Sequence, residues 1–218
     1  MADWLKDPLV VRSKSSLKFK RPKSLGTIAC ENWEIFHYST RLKLEGADHF
    51  CRLAIGAASM PYDFGLTGLA YSQIKWYLDA FFFELMSAYD MLLQEINVRY
   101  DINLDVGKVK WSAMKNNLPT KLVGLMESEW EAVWFKKLRS YRNMATHHAY
   151  IPTSASTGSP GDEPFDYHYH EVTIWHLDID TGKWTPEDIS ISKACPDYLK
   201  KMTKHIRAVW TRMAEKFD

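Results

Sequence analysis

The chain has 218 residues, of which 46% are hydrophobic and 25% charged, and its formal net charge is +1. This composition is typical of a globular protein with a sizeable core, and it excludes a chain that is disordered throughout. Because the net charge is close to zero, the field of the whole molecule does not favour nucleic acid, so an RNA-binding surface requires a local cluster of cations.

The three cysteines, Cys30, Cys51 and Cys195, show no zinc-type spacing, and their odd number predicts free thiols in a reducing compartment. The first residues lack a basic segment followed by an apolar stretch, so no signal peptide is predicted. The most apolar run, residues 80–83, ends at Glu84, so we expect no membrane-spanning helix and no membrane partner. The sequence therefore predicts a cytoplasmic protein.

Residues 1–40 lack clear periodicity, and we predict an irregular basic N-terminal arm there, followed by one helical domain over residues 41–218. The arm contains a run of cations without an acid: Arg12, Lys14, Lys18, Lys20, Arg21 and Lys23. Such a run is typical of a solvated segment, and the alternative interpretation is an arm that contacts phosphates.

Two helices are predicted next, at residues 44–60 and 68–99, with Pro61 and Gly65 between them. In the second helix, apolar residues recur with the spacing of three and then four that is typical of a buried stripe. The stripe consists of Ile74, Leu78, Phe81, Leu85, Tyr89, Leu92 and Ile96. This pattern indicates a helix at the centre of a bundle, or one that contacts a second copy of the chain.

A short helix is predicted at residues 108–118, and a longer one is predicted to begin at Ser128 and to end before Pro152. The start is predicted there because Ser128 and Glu131 form a capping-box pattern directly before an apolar run.

The Ser-, Gly- and Pro-rich residues 152–164 predict a flexible loop, and the alternation that follows predicts a β-hairpin insertion at about residues 165–190. A last helix is predicted from about Pro196 to the end of the chain. The expected fold is mainly α, an up-and-down bundle of four to five helices with a small β-hairpin before the last helix.

The end of the helix predicted from Ser128 reads Arg142-Asn143-Met144-Ala145-Thr146-His147-His148. This segment resembles the signature of the HEPN superfamily, in which an Arg, commonly followed by a polar residue such as Asn, precedes a His by four to six intervening residues. Arg142, Asn143 and His147 match its commonest form, and His148 also falls within the permitted spacing. The resemblance extends over residues 44–217, and the choice between His147 and His148 stays open.

The resemblance implies a HEPN-like bundle that acts as a metal-independent endoribonuclease, with RNA as its substrate. It implies a homodimer in which two motif helices face each other and form one composite site from Arg142, Asn143 and His147. It also implies a component of a toxin–antitoxin or phage-defence system, with an antitoxin protein as a partner. The alternative is a non-catalytic HEPN-like dimer that binds nucleotide or RNA, or that acts as an interaction scaffold.

The residue types suit RNA cleavage without a metal ion. A His with a pKa near 6.5 can take or give the 2′-hydroxyl proton at neutral pH, and a permanently charged Arg can bind the phosphate. Five residues along a helix rotate the direction by roughly 140° and advance about 7.5 Å. One helix therefore cannot easily bring Arg142 and His147 to a single phosphate, which agrees with the dimeric site that the resemblance implies.

A purely structural interpretation is also possible for these cations. Basic side chains near the C-terminus of a helix interact favourably with the helix dipole, and this applies to Arg139, Arg142, His147 and His148. Under that interpretation the residues would stabilise the helix end and carry no chemistry.

Supporting residues are expected from the long second helix and from the motif helix. Asp79, Asp90 and Asn97 share one edge of the second helix, and Glu84 lies on the opposite edge with Glu95. These residues either line the cleft or form a solvated face. Asp90, Glu84, Arg139 and His148 are the candidates for a supporting role.

No metal site and no cofactor are expected. In a regular strand, His168, His170 and His176 share one face, but no Cys or well-placed carboxylate completes a zinc site, so a polar sheet face is the favoured interpretation. No phosphate loop, dinucleotide-binding motif or zinc-protease motif is present. Because the hairpin follows a loop of the kind that tolerates insertion, we expect it to be dispensable for folding.

Overall fold

The computed structural model describes residues 10–12, 17–19, 26–59, 68–147, 151–157, 170–177 and 181–214. Its helices are α1 (Thr27–Ala58), α2 (Gly68–Arg99), α3 (Trp111–Met114), α4 (Thr120–Trp130), α5 (Val133–His147) and α6 (Ile191–Ala214). Its strands are β1 (Val10–Arg12), β2 (Leu17–Phe19), β3 (Thr153–Thr157), β4 (His170–Leu177) and β5 (Trp184–Ser190). The architecture is helical with antiparallel strands before the last helix, as the sequence predicted.

The chain divides into two compact units. The first consists of Met1–Leu44, Ser87–Ala132 and Lys200–Asp218, and the second consists of Glu45–Met86 and Val133–Leu199. Helices α1, α2 and α6 each contribute residues to both units.

The first unit contains a buried carboxylate that joins α1, α2 and α6. Glu95 Oε2 lies 2.9 Å from His37 Nδ1 and accepts a hydrogen bond of 3.0 Å from Trp210 Nε1, while Thr40 Oγ1 donates to Oε1. Glu95 and His37 are fully buried. A buried carboxylate persists when hydrogen bonds replace its lost hydration, and Glu95 has three partners. The sequence placed Glu95 on a solvated face or in a cleft, and that interpretation is wrong.

Asn97 also has a structural role in the first unit, in the turn that follows α2. Its side chain donates to the Leu104 carbonyl at 2.9 Å and accepts from the Leu104 N–H at 3.0 Å. Within this turn Asp101 and Asn103 have φ of 53° and 61°, which Asp and Asn tolerate better than most residues. Asn97 is therefore a buried residue that stabilises the turn, and it does not lie on a solvated face.

The second unit contains a three-stranded antiparallel sheet in the order β3-β4-β5. Val172 and Ile174 of β4 are buried. An aromatic cluster joins the helices of this unit: the ring of Phe82 on α2 lies 4.6 Å from Tyr141 on α5 and 5.7 Å from Tyr198 on α6. The sheet is thus part of the folded core of its unit.

Helix α2 has the bounds that the sequence predicted, and all seven residues of its predicted stripe are at most 1% exposed. Helix α1, in contrast, begins at Thr27 and not at Leu44, so residues 27–40 of the predicted irregular arm are helical. The buried stripe continues upstream through Trp33, His37 and Thr40. Two of these residues are polar, and they are buried because Glu95 binds them, which is why apolar periodicity did not reveal the helix.

The predicted start at Ser128 is wrong. Ser128 lies inside α4, its hydroxyl donates to the Leu125 carbonyl at 2.9 Å, and α5 begins only at Val133. The hydroxyl therefore bonds back to the preceding turn and caps no new helix.

The strand region is larger than the predicted hairpin. β3 lies within the predicted flexible loop and pairs with β4, with Ser154 opposite Thr173. Tyr71 OH on α2 donates to the Thr153 carbonyl, so the polar β3 segment is fastened to a helix through backbone groups that composition does not reveal. Residues 158–169 and 178–180 lie outside the described part of the chain.

Helix α6 begins at Ile191, five residues before its predicted start, and Pro196 lies inside it. Among the described residues, no helix is both long and apolar enough to cross a membrane.

Candidate active site

The motif lies on α5, a strongly basic helix. Its 15 residues include Lys136, Lys137, Arg139 and Arg142 and no Asp or Glu. Four positive charges thus lie on one short helix of a chain whose net charge is +1. Lys137 is paired with Glu187 of β5. A local cluster of cations is nevertheless a feature that phosphate-binding surfaces share.

One side of α5 is buried, and the residues on its other side are therefore at least partly exposed to solvent. Phe135, Leu138, Tyr141 and Met144 recur every third residue and are all buried. Arg142 is half-buried and Asn143 is exposed. Burial of the apolar side therefore leaves Asn143 accessible and Arg142 partly accessible near the C-terminal end of the helix.

The last turn of α5 carries the rest of the motif. Thr146 is exposed, and its hydroxyl donates to the Arg142 carbonyl at 2.9 Å. His147 is the final residue of the helix, one turn after Asn143. The His147 side chain and the whole of His148 lie outside the described part of the chain, so the choice between them remains a prediction.

A carboxylate that the sequence did not single out fastens α5 to the sheet and to α6. Glu187 on β5 accepts hydrogen bonds of 2.8 Å from Lys137 Nζ and 2.7 Å from Tyr141 OH, and a longer one of 3.4 Å from Tyr198 OH. Tyr141 directly precedes Arg142 in the chain. The contact therefore holds the helix at the residue next to the motif.

The charge of Glu187 is maintained inside this network. Burial opposes its ionisation, but hydrogen bonds from Lys137 and Tyr141 outweigh burial and hold the pKa of Glu187 below its usual range. Burial, together with Tyr198 and Glu187, raises the pKa of Tyr141 far above that of a free phenol. Tyr141 therefore stays a neutral donor to an ionised acceptor.

Asp79 lies close to the chain that follows the motif. Its carboxylate accepts a hydrogen bond of 3.1 Å from the backbone N–H of Ile151, four residues after the end of α5. Burial raises the pKa of Asp79, although this hydrogen bond and Lys75 act against the rise. Asp79 therefore contacts the segment that follows α5.

The other supporting candidates have different surroundings. The Glu84 carboxylate lies over Gly46 of α1, where a Cβ atom would meet Glu84 Oε2 at 3.2 Å. Asp90 is half-buried. The Arg139 guanidinium lies 5.7 Å from the centre of the Phe135 ring on its own helix. A supporting role in catalysis remains a prediction for all three residues.

The histidines predicted to share a strand face are only partly described. The His176 ring packs edge-on against Tyr141 with 5.9 Å between ring centres. His168 and the side chain of His170 lie outside the described residues. Within the described ranges, no three His, Cys, Asp or Glu side chains come together in a way that could hold a metal ion.

A surface groove of about 500 Å³ lies along α1 in the first unit, lined by Glu31, Glu34, Ile35, Tyr38 and Ser39. Two of these five residues are acidic, in contrast to α5, which contains four cations and no acid.

Comparison with known proteins identifies the family of the chain. A family model described as Cthe2314-like HEPN matches residues 67–211, about two thirds of the chain, and the matched range includes α2, α5 and the whole motif. Searches of curated proteins and of solved structures found no match. The chain therefore belongs to the Cthe2314-like HEPN family.

Proposed function

We propose that this protein is a metal-independent endoribonuclease of the HEPN type. The observation that carries the proposal is an Arg-Asn-x-x-x-His motif at the end of a helix with four cations and no acid, inside the range that matches the family. In the proposed reaction the 2′-hydroxyl attacks the adjacent phosphate. The products are a 2′,3′-cyclic phosphate and a 5′-hydroxyl.

Each motif residue has a role suited to its chemistry. Arg142 binds the phosphate oxygens, because a guanidinium keeps its charge at any working pH and offers two parallel N–H donors. His147 transfers the proton as general base or acid. Asn143, which is exposed beside Arg142, orients the phosphate or a neighbouring side chain.

The proposed site is composite and lies across a homodimer axis. Along a regular helix, Arg142 and residue 147 are separated by about 7.5 Å and point roughly 140° apart. A two-fold axis beside α5 supplies the missing residue from a second copy. We further propose that an antitoxin protein restrains the enzyme in a toxin–antitoxin or phage-defence system.

The direct test is cleavage of labelled RNA by the full chain in the presence of EDTA, with and without Arg142→Ala or His147→Ala. Each change should lower the cleavage rate by about 10² to 10⁴-fold, the range for a positioned acid or base, and should leave the helical content unchanged. Lys136→Ala is the matched control, because it removes an exposed cation from the same helix. We expect this control to lower the rate less than 10-fold, as for a single general phosphate contact.

The outcomes separate the possible assignments. If His148→Ala abolishes cleavage and His147→Ala does not, the catalytic His is His148. An EDTA-resistant activity that survives Arg142→Ala and both His changes would place the active site elsewhere.

The charge of α5 also favours a second function, phosphate binding without cleavage. In this case the protein is a HEPN-like dimer that binds RNA or nucleotide, or that acts as an interaction scaffold. Binding of labelled RNA by a wild-type protein that shows no cleavage, even without any partner, would favour this function over the ribonuclease.

A further inference from the structure

The outer face of α2 carries two large aromatic side chains in the second unit. Trp76 is 61% exposed and Phe83 is 42% exposed. Phe83 follows Trp76 by nearly two turns of the helix, so the two side chains point within about 20° of each other, with about 10 Å between their backbone positions. We refer to Trp76 and Phe83 as the aromatic strip. Exposed rings in such an arrangement are typical of a binding surface.

One edge of the aromatic strip borders the segment that follows the motif helix. Asp79 of α2 accepts the hydrogen bond of 3.1 Å from the backbone N–H of Ile151. Around the helix, Asp79 points about 40° from Phe83 and about 60° from Trp76. The strip therefore lies beside the chain that directly follows α5.

The same side of α2 also contacts α5 itself. The ring of Phe82 lies 4.6 Å from the ring of Tyr141, which directly precedes Arg142. Lys75, one turn before Asp79, supplies a cation on this side of the helix. The aromatic strip is thus part of a helix that packs directly against the motif helix.

Unpaired bases of single-stranded RNA are the ligand that this arrangement fits. Exposed aromatic rings stack on bases of any sequence, whereas bases inside a duplex are not free to stack on protein side chains. The cations of α5 supply the charge that complements the RNA backbone.

A second copy of the chain fits the aromatic strip less well. The exposed parts of the two rings amount to about 200 Å², whereas a stable protein interface buries about 800 Å² on each partner. The strip is large enough for two bases and too small to hold a dimer by itself.

We propose that Trp76 and Phe83 form a stacking platform for two unpaired bases of the RNA substrate. This inference rests on the proposed function, since it takes the proposed substrate as the ligand. It specifies that substrate as single-stranded RNA. Because stacking does not distinguish the bases, binding should depend little on their sequence.

The test measures binding of a short fluorescent 2′-fluoro RNA without base pairs to the full chain, by fluorescence anisotropy. This probe has no 2′-hydroxyl, so its binding is independent of cleavage. Trp76→Ala and Phe83→Ala should each weaken binding by about 5- to 100-fold, the effect of losing one stacked base. A matched probe whose central nucleotides lack bases should bind to the wild type and to both variants alike, because only backbone contacts remain.

Tyr38→Ala is the matched control, because Tyr38 is an aromatic residue that is 53% exposed on α1 in the first unit. This variant should bind the unpaired probe as the wild type does. Trp76→Tyr keeps a ring that stacks and should retain most of the affinity, whereas Trp76→Leu keeps only apolar contact and should lose it.

The outcomes separate this proposal from the ribonuclease function. Binding that depends on both rings, in a wild type that cleaves no RNA, would support the platform and refute the ribonuclease. Unchanged binding and unchanged cleavage of unpaired RNA in both Ala variants would refute the platform and leave the ribonuclease standing.

Two further results would overturn the platform. One is a wild type that does not bind the unpaired probe. The other is a dimer that dissociates when either ring is removed, with an equal loss of affinity for both probes, which would identify the aromatic strip as an interface between copies of the chain.

Discussion

Arg142 and Asn143 are neighbours in sequence but have different surroundings on α5. Arg142 is half-buried, so its side chain contributes to packing as well as to charge. Asn143 is exposed, so its side chain is not part of the core. Of the two, Asn143 is the residue at which function can be tested with the least disturbance of stability.

We predict that Asn143→Ala lowers the rate of RNA cleavage by at least about 10-fold, because the phosphate loses an orienting group, a loss of roughly 1.4 kcal/mol in transition-state binding. The change should alter the free energy of unfolding by less than about 0.5 kcal/mol, as expected for an exposed position. Single-turnover cleavage and urea unfolding measure the two effects. An unchanged rate would remove Asn143 from the site.

His205 is a buried residue whose titration makes stability depend on pH. Its ring stacks on Tyr89 with 6.0 Å between centres, and neither ring nitrogen has a hydrogen-bond partner among the described residues. Burial lowers the pKa of His205 from 6.5 to about 4. Between these two pKa values the unfolded chain binds a proton that the folded chain does not. The contribution of neutral His205 to the stability of the fold is therefore fully present above pH 6.5 and decreases as the pH falls toward 4.

We predict that the free energy of unfolding falls by about 2 kcal/mol less in His205→Phe than in the wild type when the pH is lowered from 8 to 5. The reason is that Phe keeps the stacking and cannot be protonated. At neutral pH the variant should be at least as stable as the wild type, since two buried nitrogens without partners are removed. Urea unfolding at both pH values tests this, with the exposed His49→Gln as control. The same pH dependence in His205→Phe and the wild type would contradict the prediction.

At the scale of elements, the position of α5 depends on a strand that is distant in sequence. Lys137 and Tyr141 both donate to Glu187 of β5, which is only 10% exposed. Because the pKa of Glu187 is lowered in the folded state, its carboxylate stabilises the fold above the ordinary pKa of a Glu, and this contribution is lost as the pH falls through the lowered value.

We therefore predict that Glu187→Ala costs about 2 kcal/mol at pH 7, because it leaves a buried phenol and a partly buried ammonium without their acceptor. Glu187→Gln should cost about 1 kcal/mol, since the amide oxygen still accepts from Tyr141, and the deficit should shrink below pH 4. Glu127→Gln is the control, because the side chains of the Lys115–Glu127 pair are 43% and 46% exposed and the pair should contribute less than about 0.5 kcal/mol. A Glu187→Gln deficit that is equally large at pH 3.5 and pH 7 would contradict the role of charge.

The sheet is more closely integrated than its sequence indicated. We expected a dispensable hairpin, but burial of Val172 and Ile174 and the anchoring by Glu187 argue against that expectation. Ile174→Ala should cost about 2 to 4 kcal/mol, the usual range for a fully buried Ile, as measured by urea unfolding. Ile189→Ala, at a position that is 40% exposed in the same sheet, should cost less than about 1 kcal/mol. If both changes lower the free energy of unfolding by the same small amount, the expectation that the hairpin is dispensable for folding would be supported.

At the scale of the whole molecule, the proposed composite site requires two copies of the chain. We predict a homodimer at micromolar concentration whose interface includes α5, to be measured by light scattering. Val133, at the start of α5, is 71% exposed, so Val133→Asp should weaken the dimer and RNA cleavage together. Arg142→Ala should abolish cleavage and leave the dimer intact. A monomeric wild type that cleaves RNA would refute the composite site.

The sequence alone determined the course of α2 and the presence of a helix at the end of the chain, and it placed the motif residues near the end of a helix. The buried stripe of α2 is a local pattern with the period of the helix, so it can be read without knowledge of any neighbour. The motif is also local, since Arg142, Asn143 and His147 lie within one and a half turns of a helix. Apolar periodicity and short motif spacing are properties of one continuous segment, so both can be recognised from the sequence alone.

Only the tertiary structure decided which polar residues belong together. Glu95 binds His37 and Trp210, and Glu187 binds Lys137 and Tyr141. Each group unites residues from distant segments, and an isolated His, Glu or Cys looks the same in the sequence whether it is buried or solvated. A buried polar residue depends on a partner to replace its hydration, and the fold alone determines where that partner lies.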